Sequence, residues 1–258
     1  MAEGPSIVIL REKAGVFIGQ DILRVEGNAP SAFTKERLLG QRIAGLRSYG
    51  KHFLIELPSF TLRVHLLMLG SYCIDLRKDK PIRLGLGFAA GRELNLYSCS
   101  VKYIDEPLDE LYDWRTDVMS DAWDAALARK KLRESPDTLV CDALMDQDIF
   151  AGVGNVIKNE VFFRIRVHPL STVGALPPAQ LRELVTQARQ FTFEFYVWKK
   201  QAETPSEDTA WKGDVLARHW LVHNKKVCPR CDIPLVKAHL GVLERRSFYC
   251  ENCQVRHG

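Results

Sequence analysis

The first 112 residues read as short apolar segments cut by turns. SIVIL, KHFLIEL, FTLRVHLLML, SYCIDL, IRLGLGF and ELNLYSC are rich in β-branched and large apolar side chains, and SYGK, LPS and AAGRE separate them. Segments this short and this often interrupted predict a β-sandwich or barrel over 1–112. Gly85, Gly87 and Gly91 lack the spacing of a phosphate-cradling loop, and no helical pattern follows them, so they predict a hairpin. The periodicity changes near Glu110. DAWDAALARKKL, DTLVCDALM, NVIKNEVFFRI and PAQLRELVTQARQFTFEFYVW carry apolar residues at helical spacing, punctuated by Pro136, Pro169 and Pro177–Pro178. This predicts a helical domain over 118–214, in which ETPSEDTAWKGD (203–214) reads as a polar linker or loop. The fold class is therefore a multidomain α+β chain.

The remaining segment, 215–258, changes the picture. It holds Cys228, Cys231, Cys250 and Cys253 in two C-x2-C pairs. Each pair places two thiolates on one tight turn, and the residues between the pairs fit a β-hairpin that brings the turns together. Four convergent thiolates suit one structural Zn²⁺ in tetrahedral geometry. Two disulfides, or four unrelated thiols, suit these spacings less well. The other cysteines, Cys73, Cys99 and Cys141, form an odd remainder among apolar neighbours, which predicts buried thiols in a reducing compartment.

Composition adds little until it is located. Over 258 residues the net charge is only +4. From 216 to 258, however, eight Lys/Arg face three Asp/Glu, a net of +5 for the tail alone. Such asymmetry predicts a polyanionic partner. No apolar run approaches the ~20 residues that span a bilayer. MAEGPSIVILREKAG has an acid at position 3 and no small-residue cleavage site, so it does not read as a signal peptide. The expectation is a cytoplasmic protein that acts away from membranes.

Smaller features are individually weak. Gly152-Val153-Gly154-Asn155 precedes a helical stretch, so Asn155 is a candidate N-cap and the helix start a candidate anion site. Ala2 is small enough that removal of Met1 is expected, leaving a partly neutral α-amine beside Glu3. Lys51 follows a turn and opens an apolar strand. His65 and Met68 would ordinarily be core or edge residues.

Taken in order, xEGP at the N-terminus, YGK at a strand start, LMDQDIFAGVGNVIKNEVFFR and CPRC…RRSFYCENCQ resemble the formamidopyrimidine-DNA glycosylase/endonuclease VIII (Fpg/Nei) family across the whole chain, most strongly at 139–169 and 228–254. That resemblance implies a two-layered β domain, a helix–two-turn–helix domain and a zinc finger, acting on damaged DNA. It implies a DNA glycosylase with abasic-site lyase activity, in which the N-terminal amine attacks C1′ and forms a Schiff base. By position, the nucleophile is Ala2 and the neighbouring carboxylate Glu3. Lys51, Asn155 and Arg245 become phosphate ligands that hold a flipped-out nucleotide, and Met68 the residue that fills the gap it leaves. Two positions depart from the family pattern: Ala2 stands where most members have proline, and Ser6 where most have glutamate. A primary amine still forms an imine, so slower lyase turnover is expected. The same departures suit a second reading, a non-catalytic or weakly catalytic binder of damaged or abasic DNA. A ribosome- or RNA-associated zinc protein fits the charge but not the N-terminal residues.

Overall fold

A computed structural model describes residues 2–30, 33–203 and 216–258. The chain divides into two compact units, Met1–Asp113 and Trp114–Gly258. Among the described residues no helix is long and apolar enough to cross a membrane.

The first unit opens with a helix, α1 (Gly4–Ala14), and not with the strand expected of SIVIL. Pro5 lies in the first turn, where its fixed φ suits a helix and its missing N–H is no loss. Ile7, Val8, Ile9 and Leu10 are all buried, so the helix is apolar all round and shows no helical period in sequence. It packs on strands of both sheets, touching β2 (Gly45–Tyr49), β3 (His52–Glu56) and β5 (Ser71–Ile74). One sheet has the order β2-β3-β4-β8, with β4 Thr61–His65 and β8 Ser100–Ile104. The other runs β1-β6-β7-β5, with β1 Arg24–Glu26, β6 Leu84–Gly87 and β7 Glu93–Tyr97. All neighbours are antiparallel. The core between them gathers Phe17, Phe53, Ile55, Leu62, Leu86 and Leu96 with Ile7 and Leu10 of α1. Gly85 and Gly87 lie in β6 and Gly91 in its connection to β7, the hairpin expected. Strand β4 ends at His65, earlier than FTLRVHLLML suggests. Leu67 takes a left-handed φ of 50°, and a Cβ on Gly70 would collide with the Leu66 carbonyl, so 66–70 is a tight loop. A short helix, α2 (Leu108–Leu111), closes the unit.

The second unit is helical with a terminal hairpin. Helix α3 (Ala125–Arg133) begins later than DAWDAAL suggests, because the Asp124 carboxylate accepts the N–H groups of Ala126 and Leu127 at 2.7 and 3.0 Å and fixes the start. Helices α4 (Val140–Ala143) and α5 (Asn155–Arg164) flank a run of turns, and α6 (Pro178–Glu203) follows. Their shared core includes Leu144, Phe150, Ile157, Val161, Leu184 and Phe191. Strands β9 (Val236–Leu240) and β10 (Arg245–Tyr249) form the antiparallel hairpin. Apart from Glu203, which ends α6, the linker expected at 203–214 lies outside the described residues. Cys99 and Cys141 are buried, and burial pushes both thiols up to about 11; Cys73 is only half-buried, on edge strand β5.

Candidate functional site

The four expected cysteines converge. Their Sγ atoms lie within 4.8 Å of one another, and Cys228 and Cys253 are 3.8 Å apart. A tetrahedron with ~2.3 Å Zn–S bonds has S–S edges of about 3.8 Å, so the cluster can hold a metal ion of that size. Each knuckle is closed by backbone bonds: Asp232 N–H to the Cys228 carbonyl at 3.0 Å, and Gln254 N–H to the Cys250 carbonyl at 3.2 Å. The Asn252 amide donates to Cys231 Sγ at 3.3 Å, an outer contact of the kind that orients a thiolate.

Helix α5 carries the hairpin. Its consecutive polar residues Lys158, Asn159 and Glu160 are all buried, and each serves the C-terminal segment. Lys158 Nζ donates to Ser247 Oγ at 2.8 Å. Asn159 Oδ1 accepts the Phe248 N–H at 3.1 Å, so it pairs with the backbone of β10 directly. Glu160 accepts three backbone N–H groups, from Leu221, Val222 and His223, at 2.9, 3.0 and 2.8 Å. Burial lifts its carboxyl above the usual range, and those three donors pull it back. Arg230, between the first two cysteines, donates to the Phe163 carbonyl at 2.6 Å and stacks over the Phe163 ring at 4.0 Å.

Asn155 is not the N-cap of α5. Gly154 takes that position in extended conformation, and Asn155 is the first helical residue. The preceding loop is held by Gln147, which donates to the carbonyls of Met145 and Val153 and accepts the Gly152 N–H. Gly152 sits at φ 99°, which a side chain rarely tolerates. Asn155 is 4 % exposed, and its Oδ1 has no hydrogen-bond partner among the described residues. Arg245 is half-buried at the start of β10, paired with Leu240.

In the first unit, Glu3 is fully buried and caps α1 through its backbone, its carbonyl accepting the Ser6 N–H at 2.8 Å. Ala2 packs against the sheet core beside it. Lys51 lies in the two-residue turn Gly50–Lys51 that joins β2 to β3, where Tyr49 pairs with His52. Met68 is 58 % exposed on the 66–70 loop. Sequence reasoning missed the group beside Lys51. His52 and His65 are cross-strand partners with ring centroids 5.5 Å apart, and His52 Nδ1 meets the Tyr112 hydroxyl at 3.1 Å. Burial, then Arg63, His65 and Lys51, push His52 down to about 4. Only the pairing register, which a single sequence does not display, brings these rings together.

Comparison with known proteins places this arrangement. A family model described as the formamidopyrimidine-DNA glycosylase N-terminal domain matches residues 1–98, and one described as the formamidopyrimidine-DNA glycosylase H2TH domain matches residues 115–194. The chain belongs to the Fpg/Nei family. Among relatives in that family, Endonuclease 8-like 3 of Xenopus laevis is 28% identical over 234 residues, 84% of this chain. The chain spans only 35% of that relative's length. Endonuclease 8 2 of Mycobacterium tuberculosis (strain CDC 1551 / Oshkosh) is 28% identical over 251 residues, 92% of both chains. The fold matches Lactococcus lactis formamidopyrimidine-DNA glycosylase, solved non-covalently bound to DNA containing an AP site, at a TM-score of 0.81 and 23% identity, covering 98% of this chain and all of that one. A viral DNA glycosylase matches at 0.79 and 19% identity over 98% of this chain.

Proposed function

We propose that this protein is a base-excision repair DNA glycosylase with abasic-site lyase activity. Family membership supports the reaction class, and the observation that carries the reading here is the burial of Glu3 directly after Ala2 at the start of α1. A desolvated carboxylate next to a nucleophile is a candidate for proton transfer. With Met1 removed, the Ala2 amine attacks C1′ of the damaged nucleotide as Glu3 delivers a proton toward the sugar, and the base departs. The C1′–O4′ bond of the adduct then breaks, O4′ taking up a proton to become a hydroxyl and C1′ becoming a Schiff base, and loss of a C2′ proton with elimination of the 3′ phosphate cuts the strand. Proline would give an obligatory iminium. The imine of Ala2 must take up a proton to be as electrophilic, which slows the lyase step.

Lys51, Asn155 and Arg245 bind phosphates around the lesion, and Met68 occupies the gap left by the extruded base. Extrusion costs a few kcal/mol of stacking, which such contacts offset. One Zn²⁺ on Cys228, Cys231, Cys250 and Cys253 supplies no chemistry to the reaction; it staples the hairpin that carries Arg245. The protein acts as a monomer on damaged DNA in the nucleoid.

Borohydride reduction on a duplex containing an abasic site tests the reading. A covalent adduct is expected from the processed protein, and its loss is expected when Met1 is retained or the terminus is tagged. Binding of the same duplex without any adduct from a terminus shown by mass spectrometry to be Ala2 would overturn it. That outcome would favour the second reading, a non-catalytic binder of damaged DNA, which Ala2 and Ser6 motivate.

A further inference from the structure

The hairpin is fastened to the helices at both ends, and one fastening is unexpected for a surface that meets a polyanion. Asp142, in α4, accepts the N–H of Val242 at 2.9 Å and that of Leu243 at 3.2 Å, through Oδ2 and Oδ1 respectively. Those are the tip residues of the hairpin, and Val242 is 89 % exposed. The turn they form needs left-handed backbone at Gly241 (φ 74°) and Glu244 (φ 46°). The carboxylate sits so close that a Cβ on Gly241 would collide with it. Leu240, the cross-strand partner of Arg245, packs on the helical core. Two residues beyond Arg245, Lys158 and Asn159 hold Ser247 and Phe248. Arg245 is thus the residue between two anchors, and the tip-side anchor is a carboxylate.

We infer that Asp142 is a positioning residue for Arg245: by fixing the 241–244 turn it presents the guanidinium in a single place to a DNA phosphate. The inference rests on the reading of Arg245 as a phosphate ligand. It opposes the expectation from charge alone. An anion beside a phosphate-binding tip repels DNA, so by Coulomb's law its removal tightens binding. A preorganising anion does the reverse, because its loss lets the turn sample other conformations and the ordering cost is met at binding.

The test is a double-mutant cycle on zinc-loaded protein, read as affinity for a duplex carrying a stable abasic-site analogue. Asp142→Ala is expected to weaken binding by about tenfold, the low end of one bond to a charged acceptor, because only part of the turn's lost order is restored at binding. Asp142→Asn, which keeps one acceptor and loses the charge, should fall between. In an Arg245→Ala background Asp142→Ala should have no further effect, and amide exchange should accelerate at 242–245 with zinc content unchanged. Unchanged or tighter binding by Asp142→Ala, or losses that add in the double variant, overturns the positioning role while leaving Arg245 a phosphate ligand. Unchanged binding and salt dependence in Arg245→Ala alone overturns the phosphate reading itself, and the inference with it.

Discussion

Replacing Glu160 by glutamine changes almost no volume and tests how the C-terminal segment is held. The carboxylate divides its work: Oε1 takes the N–H groups of Val222 and His223, and Oε2 that of Leu221. Glutamine has one oxygen, best placed on the first two donors, and its amide nitrogen then faces the Leu221 N–H donor to donor. The bond lost is one to a charged acceptor, about 1.5–3 kcal/mol, and the two retained become neutral and weaker. Against this, burial already lifts the Glu160 carboxyl above its usual range, so holding the charge there costs something that glutamine does not pay. The net expectation is a loss of about 2 kcal/mol, or roughly 4–8 °C in Tm for a chain of this size. Glu160→Ala strips all three donors of their acceptor and opens a cavity, and about 4 kcal/mol is expected. Urea and thermal unfolding of the zinc-loaded protein measure both. Limited proteolysis should also show new cleavage in the segment 216–227, which Glu160 fastens ahead of Cys228. A glutamine variant within about 0.5 kcal/mol of the parent protein, uncut by protease, would refute the charged clamp.

Acidification should weaken the first unit through His52. Its folded value near 4 lies below the ~6.5 of an unfolded histidine, so the neutral ring is favoured in the fold; that stability is complete above pH 6.5 and is lost as pH falls toward 4, about 3 kcal/mol in all. Urea midpoints at pH 7 and 4.5 should therefore diverge less in His52→Gln than in the parent, and equal divergence would sink the assignment. Cys250→Ser should lower bound zinc measured by atomic absorption and release exchange protection across β9 and β10, because metal binding and local folding are one process there; full zinc occupancy with a protected hairpin would count against a four-thiolate site.

The interior of the fold was legible in sequence and its margins were not. Strands β3, β6 and β7 stand out because both faces are covered and their apolar runs are dense. The three strands that escaped notice, β1, β2 and β8, are all sheet edges, where exposed and half-buried positions such as Arg24, Arg47 and Lys102 dilute the pattern. SIVIL failed for the opposite reason: a helix buried on every side has no polar stripe, and β-branched residues then favour the strand reading. The cysteine tetrad was readable because metal geometry ties spacing to structure. Asp142 and the His52–His65 pair were not, because their partners are set by packing between segments distant in sequence.

Helix α5 shows why burial of polar groups separates scaffold from site. NVIKNEVFFR has no amphipathic stripe, yet nearly all of it is buried, because the hairpin and the 221–223 turn cover the face that would otherwise meet water. Lys158, Asn159 and Glu160 are matched by internal partners, so their desolvation is compensated within the fold and their role is to hold. Asn155, one turn earlier on the same helix, is as buried but has an amide oxygen without a partner among the described residues. A buried polar atom left unmatched costs about 1–3 kcal/mol, and folding recovers nothing for it. Among the described residues, Ser71 Oγ, Asn95 Oδ1 and Gln180 Oε1 are the other buried side-chain atoms left so. At the first turn of α5, the unmatched Asn155 oxygen supports the proposed role of that residue as a ligand for something outside the fold. The three matched neighbours hold the helix start in place through the hairpin and the 221–223 turn.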